Sequence, residues 1–324
     1  MELFDEIAAK IKGQNKTIVF PEGEDKRILG AAVRLKKDNL VEPILLGDEE
    51  AIKEVASKNG FDLAGLQIID PATYPEDDKQ AMFDSLMERR KGKNTPEEIQ
   101  KMLEDVSYFG TMLVYMGKAD GMVSGAVHST GATVRPALQI IKTKPGAHRI
   151  SGAFLMIKGD QRYIFADCAI NIDLDAPTMA EVAIQSAETA RLFEIDPKVA
   201  LLSFSTKGSA KGEMVTKVAD AAKLVHELDP DLPADGELQF DAAVVPSVGE
   251  LKAPDSKVAG HANVFIFPSL EAGNIGYKIA QRFGGFTAVG PILQGLNAPI
   301  ADLSRGCSED DAYKVAMITA AQAL

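Results

Sequence analysis

Between Gly290 and Asp311 the chain reads GPILQGLNAPIADLSRGCSEDD, and several side chains there are equipped for chemistry. Ser304 brings a hydroxyl, Arg305 a permanent cation and Cys307 a thiol, all within one short turn of sequence. A guanidinium beside the free N–H groups of a helix start suits an oxyanion such as phosphate. Asp311, about one helical turn further on, carries a carboxylate able to move a proton. The same spacing puts Asp311 where a capping box takes its acidic partner, so a helix cap and a proton carrier both fit. Arg305 has Glu309 and Asp310 as alternative ion-pair partners, and Cys307 reads equally as a small packed residue.

The elements that must position this stretch follow from pattern. Ala288–Val289 closes an apolar run, which Gly290 and Pro291 are expected to stop. Gly295, Pro299 and Gly306 predict an irregular loop. Ser308, three acids and the apolar-periodic AYKVAMITAAQAL then predict a helix over Glu309–Leu324. Upstream, strands are expected at Thr17–Phe20, Val41–Leu46 and Leu66–Ile69, with helices at Asp25–Lys37 and Glu49–Lys58 between them. Strands alternating with helices of this length predict a parallel sheet covered on both faces. Two longer helices are expected near Glu76–Arg90 and Thr95–Lys118, the second with Thr95 as N-cap and Pro96 at its first position. Between them Glu88-Arg89-Arg90-Lys91-Gly92-Lys93 gathers four cations, as a solvated helix end or as a phosphate clamp.

A short buried strand, Gly121–Ser124, leads into Gly125-Ala126-Val127-His128-Ser129-Thr130-Gly131 and a helix bearing Arg135. Small residues and hydroxyls at such a turn let backbone N–H groups approach an anion. Ligands of open α/β sheets bind at the carboxyl ends of strands, so this loop and the Gly290–Asp311 stretch are expected to converge. After Pro145-Gly146 the pattern changes to a hairpin, Arg149–Ile157 and Arg162–Cys168. Helices over Pro177–Glu194, Glu213–Leu228 and Leu270–Phe283 and strands over Val199–Phe204, Asn263–Phe267 and Phe286–Val289 follow. The expected organisation is two α/β domains with mostly parallel sheets. One is discontinuous, residues 1–147 plus 299–324, and the other spans 148–298 and is expected to dimerise.

Composition narrows the function. At 324 residues, 46% hydrophobic and 25% charged, the chain is an ordinary globular protein long enough for two cores. The net charge of −12 argues against nucleic acid and anionic membrane as partners. No 18-residue apolar run occurs, and the first turn carries acids where a leader would be basic, so a cytoplasmic location is expected. Two cysteines, Cys168 and Cys307, and four histidines show neither disulfide nor metal-ligand spacing. Asp167, Asp173 and Asp175 come nearest to a carboxylate cluster, yet turn chemistry explains them, and no metal is expected. Between Asp120 and Asp160 there is no acid at all, while Arg135, Lys142, Lys144, Arg149 and Lys158 occur there. Glu271 to Asp302 is likewise acid-free, with Lys278 and Arg282. Two locally positive segments in an acidic protein point to an anionic small ligand. The nucleotide-binding G-x-G-x-x-G, the G-x-x-x-x-G-K-[ST] loop and the G-x-S-x-G elbow are all missing from the sequence.

The segments VFPEGEDKRIL, MVSGAVHSTGATVRPALQIIKT, YIFADCAIN and VGPILQGLNAPIADLSRGCS together resemble the bacterial phosphate acetyltransferase (phosphotransacetylase) group of the phosphate acetyl/butyryltransferases, along essentially the whole chain. One departure is Gly92, where the family leads one to expect a histidine. The resemblance implies a reversible reaction, acetyl-CoA plus phosphate giving acetyl phosphate plus CoA, by direct thiolate attack in a ternary complex. It implies acetyl rather than butyryl as the acyl group, coenzyme A as a substrate with no resident cofactor, a homodimer, and an isocitrate/isopropylmalate dehydrogenase-like fold with a cleft between its domains. By motif match it gives Asp311 the role of general base, Ser304 that of hydrogen-bond partner to thiol and tetrahedral centre, and Arg305 that of phosphate and carbonyl contact. Arg90 and Arg135 match CoA-binding arginines, and Ser129 and Thr130 are phosphate contacts. Cys307 is not needed as a nucleophile. Two other classes share features with the chain: an NAD-dependent decarboxylating dehydrogenase, which would need a metal and a nucleotide site, and an acetyl-CoA-sensing module, which would not need Ser304, Arg305 and Asp311 together.

Overall fold

The computed structural model describes residues 3–324, and the chain divides into two compact units, residues 1–145 with 296–324, and residues 146–295. The first opens with helix α1 (Leu3–Ile11), then alternates β1 (Thr17–Phe20), α2 (Lys26–Lys37), β2 (Glu42–Leu46), α3 (Glu49–Asn59) and β3 (Gln67–Ile69). Helices α4 (Glu76–Arg89), α5 (Pro96–Leu103) and α6 (Val106–Tyr115) lead to β4 (Gly121–Ser124) and α7 (Thr130–Pro136), which widens into a π-helical turn, Ala137–Ile141. The second unit holds β5 (Ser151–Lys158), β6 (Gln161–Ala166), α8 (Ala176–Leu192), β7 (Val199–Leu202), α9 (Glu213–Leu228) and β8 (Ala234–Leu238). It continues with α10 (Phe240–Val244), α11 (Pro246–Lys252), β9 (Val264–Ile266), α12 (Leu270–Arg282) and β10 (Thr287–Gln294). The chain returns to the first unit with β11 (Ile300–Asp302) and α13 (Glu309–Gln322).

The first unit's sheet runs β11-β4-β1-β2-β3, parallel throughout. Its central strands read as near-continuous apolar runs, as strands covered on both faces must. Ile18, Val19 and Phe20 of β1 and Met122 and Val123 of β4 are wholly buried. Helix α2 shows why the helices lie on this sheet. Asp25 caps it by accepting from the Arg27 N–H, and Ile28, Leu29, Ala31, Ala32 and Leu35 form its buried stripe. Each large apolar side chain so buried contributes about 1.5–3 kcal/mol. Helix α13 packs on α1, α2 and β4, so the C-terminal helix completes the first unit's core. The second unit's sheet is mixed, in the order β10-β5-β6-β9-β7-β8, with β10, β5 and β6 antiparallel and the rest parallel.

Three sequence expectations need correction. Gly290 and Pro291 do not stop the strand: β10 runs on to Gln294, with its register shifted between Val289 and Ile292. As an edge strand, it absorbs at that irregularity the N–H that proline lacks. The loop thought irregular contains β11, which pairs with β4 through Ile300–Met122, Ala301–Val123 and Asp302–Ser124. The single helix expected over Thr95–Lys118 is two, because Asp105 caps a new start by accepting from Ser107 and Tyr108 N–H. Strand β8 and the short helices α10 and α11 had no expected counterpart.

Candidate active site

β4 and β11 deliver their C-terminal ends side by side, so the 125–131 loop and the 303–308 turn emerge together from the sheet of the first unit. Three side chains that sequence reading passed over lie beside them, and the first two hold them there. The first is Glu22, in the turn after β1. Its carboxylate is almost wholly buried and accepts from the N–H groups of Gly125 (3.2 Å), Ala126 (2.8 Å), Val127 (2.9 Å) and His128 (2.9 Å). His128 Nδ1 lies 2.7 Å from the same oxygen. The expectation that these N–H groups await an external anion is therefore corrected: an internal carboxylate occupies four of them.

Arg27 is the second. It grips Asp25 bidentately (2.9 and 2.8 Å) and donates to the carbonyls of Ala126 (2.9 Å), Arg305 (2.9 Å) and Cys307 (3.0 Å). One guanidinium so ties the β1–α2 turn to both site loops, and this pairing holds the Asp25 carboxyl below its usual range. Both residues stand in VFPEGEDKRIL, one of the segments that carry the family resemblance.

The third is Asp302, the last residue of β11, which is 1% exposed. Burial, with Glu22 nearby, pushes its carboxyl up to about 6. Gly125 makes room for it: a Cβ there would stand 2.6 Å from Asp302 Oδ1 and 2.5 Å from the Leu303 carbonyl, in a backbone at φ +111° that side chains disfavour.

Among the residues singled out by sequence, Ser304, Arg305 and Asp311 are exposed on adjoining turns. Glu309 and Asp310 are not partners of Arg305; both bind Arg34, at 3.2 and 3.3 Å. Among the described residues the Arg305 guanidinium has no partner, while its carbonyl is held by Arg27. Asp311 does close a capping box: Oδ2 accepts from Ser308 N–H and Oγ, both at 2.8 Å. Its Oδ1 has no partner among the described residues, so the cap fixes the carboxylate and leaves one oxygen available. Cys307 is buried, and burial raises its thiol pKa against the pull of Arg27, the reverse of what a nucleophile needs. Ser129 caps α7 by accepting from Ala132 N–H, and Thr130 is exposed at the helix start.

A second cationic group lies on the same unit. Arg90 and Arg135 both lie close enough to act electrostatically on Tyr108, whose hydroxyl donates to Gln139 at 2.8 Å, and Arg90 Nε donates to Asn94 at 2.8 Å. Arg89, Lys93 and Arg90 together depress the Lys142 ammonium. Of the four cations in the linker, Arg89 is structural: it donates to the Ile140 and Ile141 carbonyls, closing the π-helical turn, and stacks over Tyr115. Lys91 pairs with Glu88 at the surface. Gly92 adopts φ +74°, a left-handed turn in which glycine is unstrained and the expected histidine would not be. Of Asp167, Asp173 and Asp175, the first and last carry turn and cap chemistry. Asp167 accepts from the N–H groups of Gly152, Ala169, Ile170 and Asn171, and Asp175 caps α8.

Two α/β units, with a cation, a hydroxyl and a carboxylate gathered at the strand ends of one of them, place the chain in the phosphate acetyl/butaryl transferase family, to which it belongs: the family model matches residues 2–320. Within it, a phosphate acetyltransferase of Staphylococcus epidermidis is 61% identical over 329 residues, covering 100% of this chain and 99% of that one. A solved phosphotransacetylase from Streptococcus pyogenes is 59% identical and superposes with a TM-score of 0.96, covering 99% of this chain and 98% of that one. The EutD phosphotransacetylase from Staphylococcus aureus is also 59% identical, with a TM-score of 0.93 over 100% of this chain and 98% of the other.

Proposed function

We infer that this protein is an acyltransferase that moves an acetyl group reversibly between coenzyme A and inorganic phosphate. The observation that carries this reading is the conjunction on adjoining turns of an Arg305 guanidinium with no partner among the described residues, an exposed Ser304 and an Asp311 carboxylate with one oxygen uncommitted among them. A CoA thiol resembles a cysteine thiol, with a pKa of about 8.5, so little thiolate exists at neutral pH without a base. Asp311 takes the thiol proton, and Ser304 donates to the thiolate sulfur and then to the tetrahedral oxygen. Arg305 holds the phosphate and polarises the acetyl carbonyl. The C–S bond forms, the C–O bond to phosphate breaks, and the thiol proton leaves through Asp311. No protein nucleophile takes part, in keeping with the inert surroundings of Cys307.

Arg90 and Arg135 serve the anionic CoA, supported by their shared placement around Tyr108. Ser129 and Thr130, at the start of α7, serve the phosphate. CoA is a substrate, and no resident cofactor or metal is called for. The protein works as a homodimer. The exposed stripe Ile275, Ile279 and Phe283, spaced at i, i+4 and i+8 on α12 and its end, supports a self-complementary contact in the second unit. Sedimentation at twice 34.7 kDa is the expected result, and a monomeric mass would remove the dimer. No helix among the described residues is long and apolar enough to cross a membrane. A cytoplasmic location accords with that and with two free thiols, and cell fractionation tests it.

The activity is tested by mixing the protein with CoA and acetyl phosphate and following thioester absorbance. Rapid formation with acetyl phosphate and slower formation with butyryl phosphate is expected. No thioester from either would refute the reading.

A further inference from the structure

Arg305 has three carboxylates within its next six positions, Glu309, Asp310 and Asp311, yet its guanidinium has no partner among the described residues. Each of the three is held elsewhere. Asp311 is bound to Ser308 in the capping box. The other two are drawn onto helix α2, where Arg34 Nη1 donates to Glu309 Oε1 at 3.2 Å and Nη2 to Asp310 Oδ1 at 3.3 Å. The Arg34 guanidinium lies over the Tyr313 ring, 4.2 Å from its centroid, and the Tyr313 hydroxyl donates to Asp38 at 2.7 Å. Lys314 takes Asp310 Oδ2 at 2.7 Å. Glu309 Oε2 settles on α2 at Gly30, where a Cβ would collide with it. Glycine weakens a helix interior, and here its missing side chain makes room for the carboxylate.

These pairs do little for the fold. Their side chains are all partly exposed, and exposed ion pairs contribute little to stability. Helix α13 is already anchored by Ala312, Val315 and Ala316, all buried. What the pairs change is the charge around Arg305. A carboxylate freed at position 309 or 310 would be tethered four or five residues away, at high local concentration. It would pair with the Arg305 guanidinium in competition with phosphate, and its charge would repel the incoming anion. We propose that Arg34 is a positioning residue for Arg305: by holding Glu309 and Asp310 against α2, it keeps the guanidinium free for the phosphate group. The inference rests on the phosphate-transfer reading, in which Arg305 is the phosphate contact.

The test is a cycle of four proteins: wild type, Arg34→Met, Glu309→Gln with Asp310→Asn, and all three changes together. Inorganic phosphate is titrated into each by calorimetry, and KM for acetyl phosphate, KM for CoA and kcat are measured beside it. Arg34→Met should raise Kd for phosphate and KM for acetyl phosphate about fivefold, the effect of one well-formed exposed ion pair. Melting, kcat and KM for CoA should stay at wild-type values. With Arg34 present, removing the two acids should change neither constant, because both acids are already occupied. With Arg34 absent, the same removal should restore both constants to wild type. Unchanged constants in Arg34→Met would overturn the proposal. Acid removal that tightens phosphate equally with and without Arg34 would also overturn it, by showing a general effect of net charge. A fall in kcat together with a raised KM for CoA would reduce Arg34 to a staple of the helix start. The phosphate titration needs no turnover, so it stands apart from the transfer reading. A wild type that shows the expected coupling in phosphate binding but forms no thioester would refute that reading and support the role of Arg34.

Discussion

Replacing Asp311 by Asn should slow thioester formation by about 10²–10⁴ while leaving the fold intact. The two roles of this residue separate by magnitude. As a cap, Asp311 Oδ2 accepts from Ser308 N–H and Oγ, and an asparagine oxygen can occupy the same position. What the fold loses is a charge at a helix start, about 0.3–1 kcal/mol. What the reaction loses is the acceptor for the thiol proton, because an amide cannot be protonated at working pH. A variant with normal melting and a rate cut at least a hundredfold assigns the base. A variant as fast as the wild type would leave Asp311 as a cap alone.

The largest effect on stability is expected from Glu22→Ala. Removing a carboxylate that four buried or half-buried N–H groups and a histidine ring share leaves these donors with nothing to bind. Breaking a buried charged contact of this kind costs about 3–5 kcal/mol. Urea unfolding should show the loss as a lowered midpoint in the unit that contains residue 22. Glu22→Gln, which keeps one acceptor oxygen, should lose less. A Glu22→Ala midpoint equal to the wild type's would show that the Gly125–His128 loop does not depend on this cradle. The loop would otherwise move and carry Thr130 with it, so activity should fall together with stability.

What was legible in the sequence was whatever depends on near neighbours. The apolar periodicity of α2, α9 and α13 and the Ser308–Asp311 cap are local patterns, and the structure repeats them within a residue or two. Ser304, Arg305 and Asp311 were visible because they lie within eight residues, on adjoining turns. Glu22, Arg27 and Asp302 were not, because each acts across 100 residues or more or from inside the sheet: Glu22 on Gly125 to His128, and Arg27 on Arg305 and Cys307. No spacing rule connects such positions. The same holds for β11, three residues long, which is a strand because β4 lies beside it. In β10, proline and glycine signalled an end that pairing with β5 overrode.

The role given to Asp311 and the inert setting of Cys307 make one claim together: acetyl passes directly between CoA and phosphate and never rests on the protein. Exchange of labelled phosphate into acetyl phosphate, measured with and without CoA, tests it most directly. Direct transfer predicts rapid incorporation when CoA is present and none when it is absent. Incorporation without CoA would mean an acetylated enzyme, and would contradict the account.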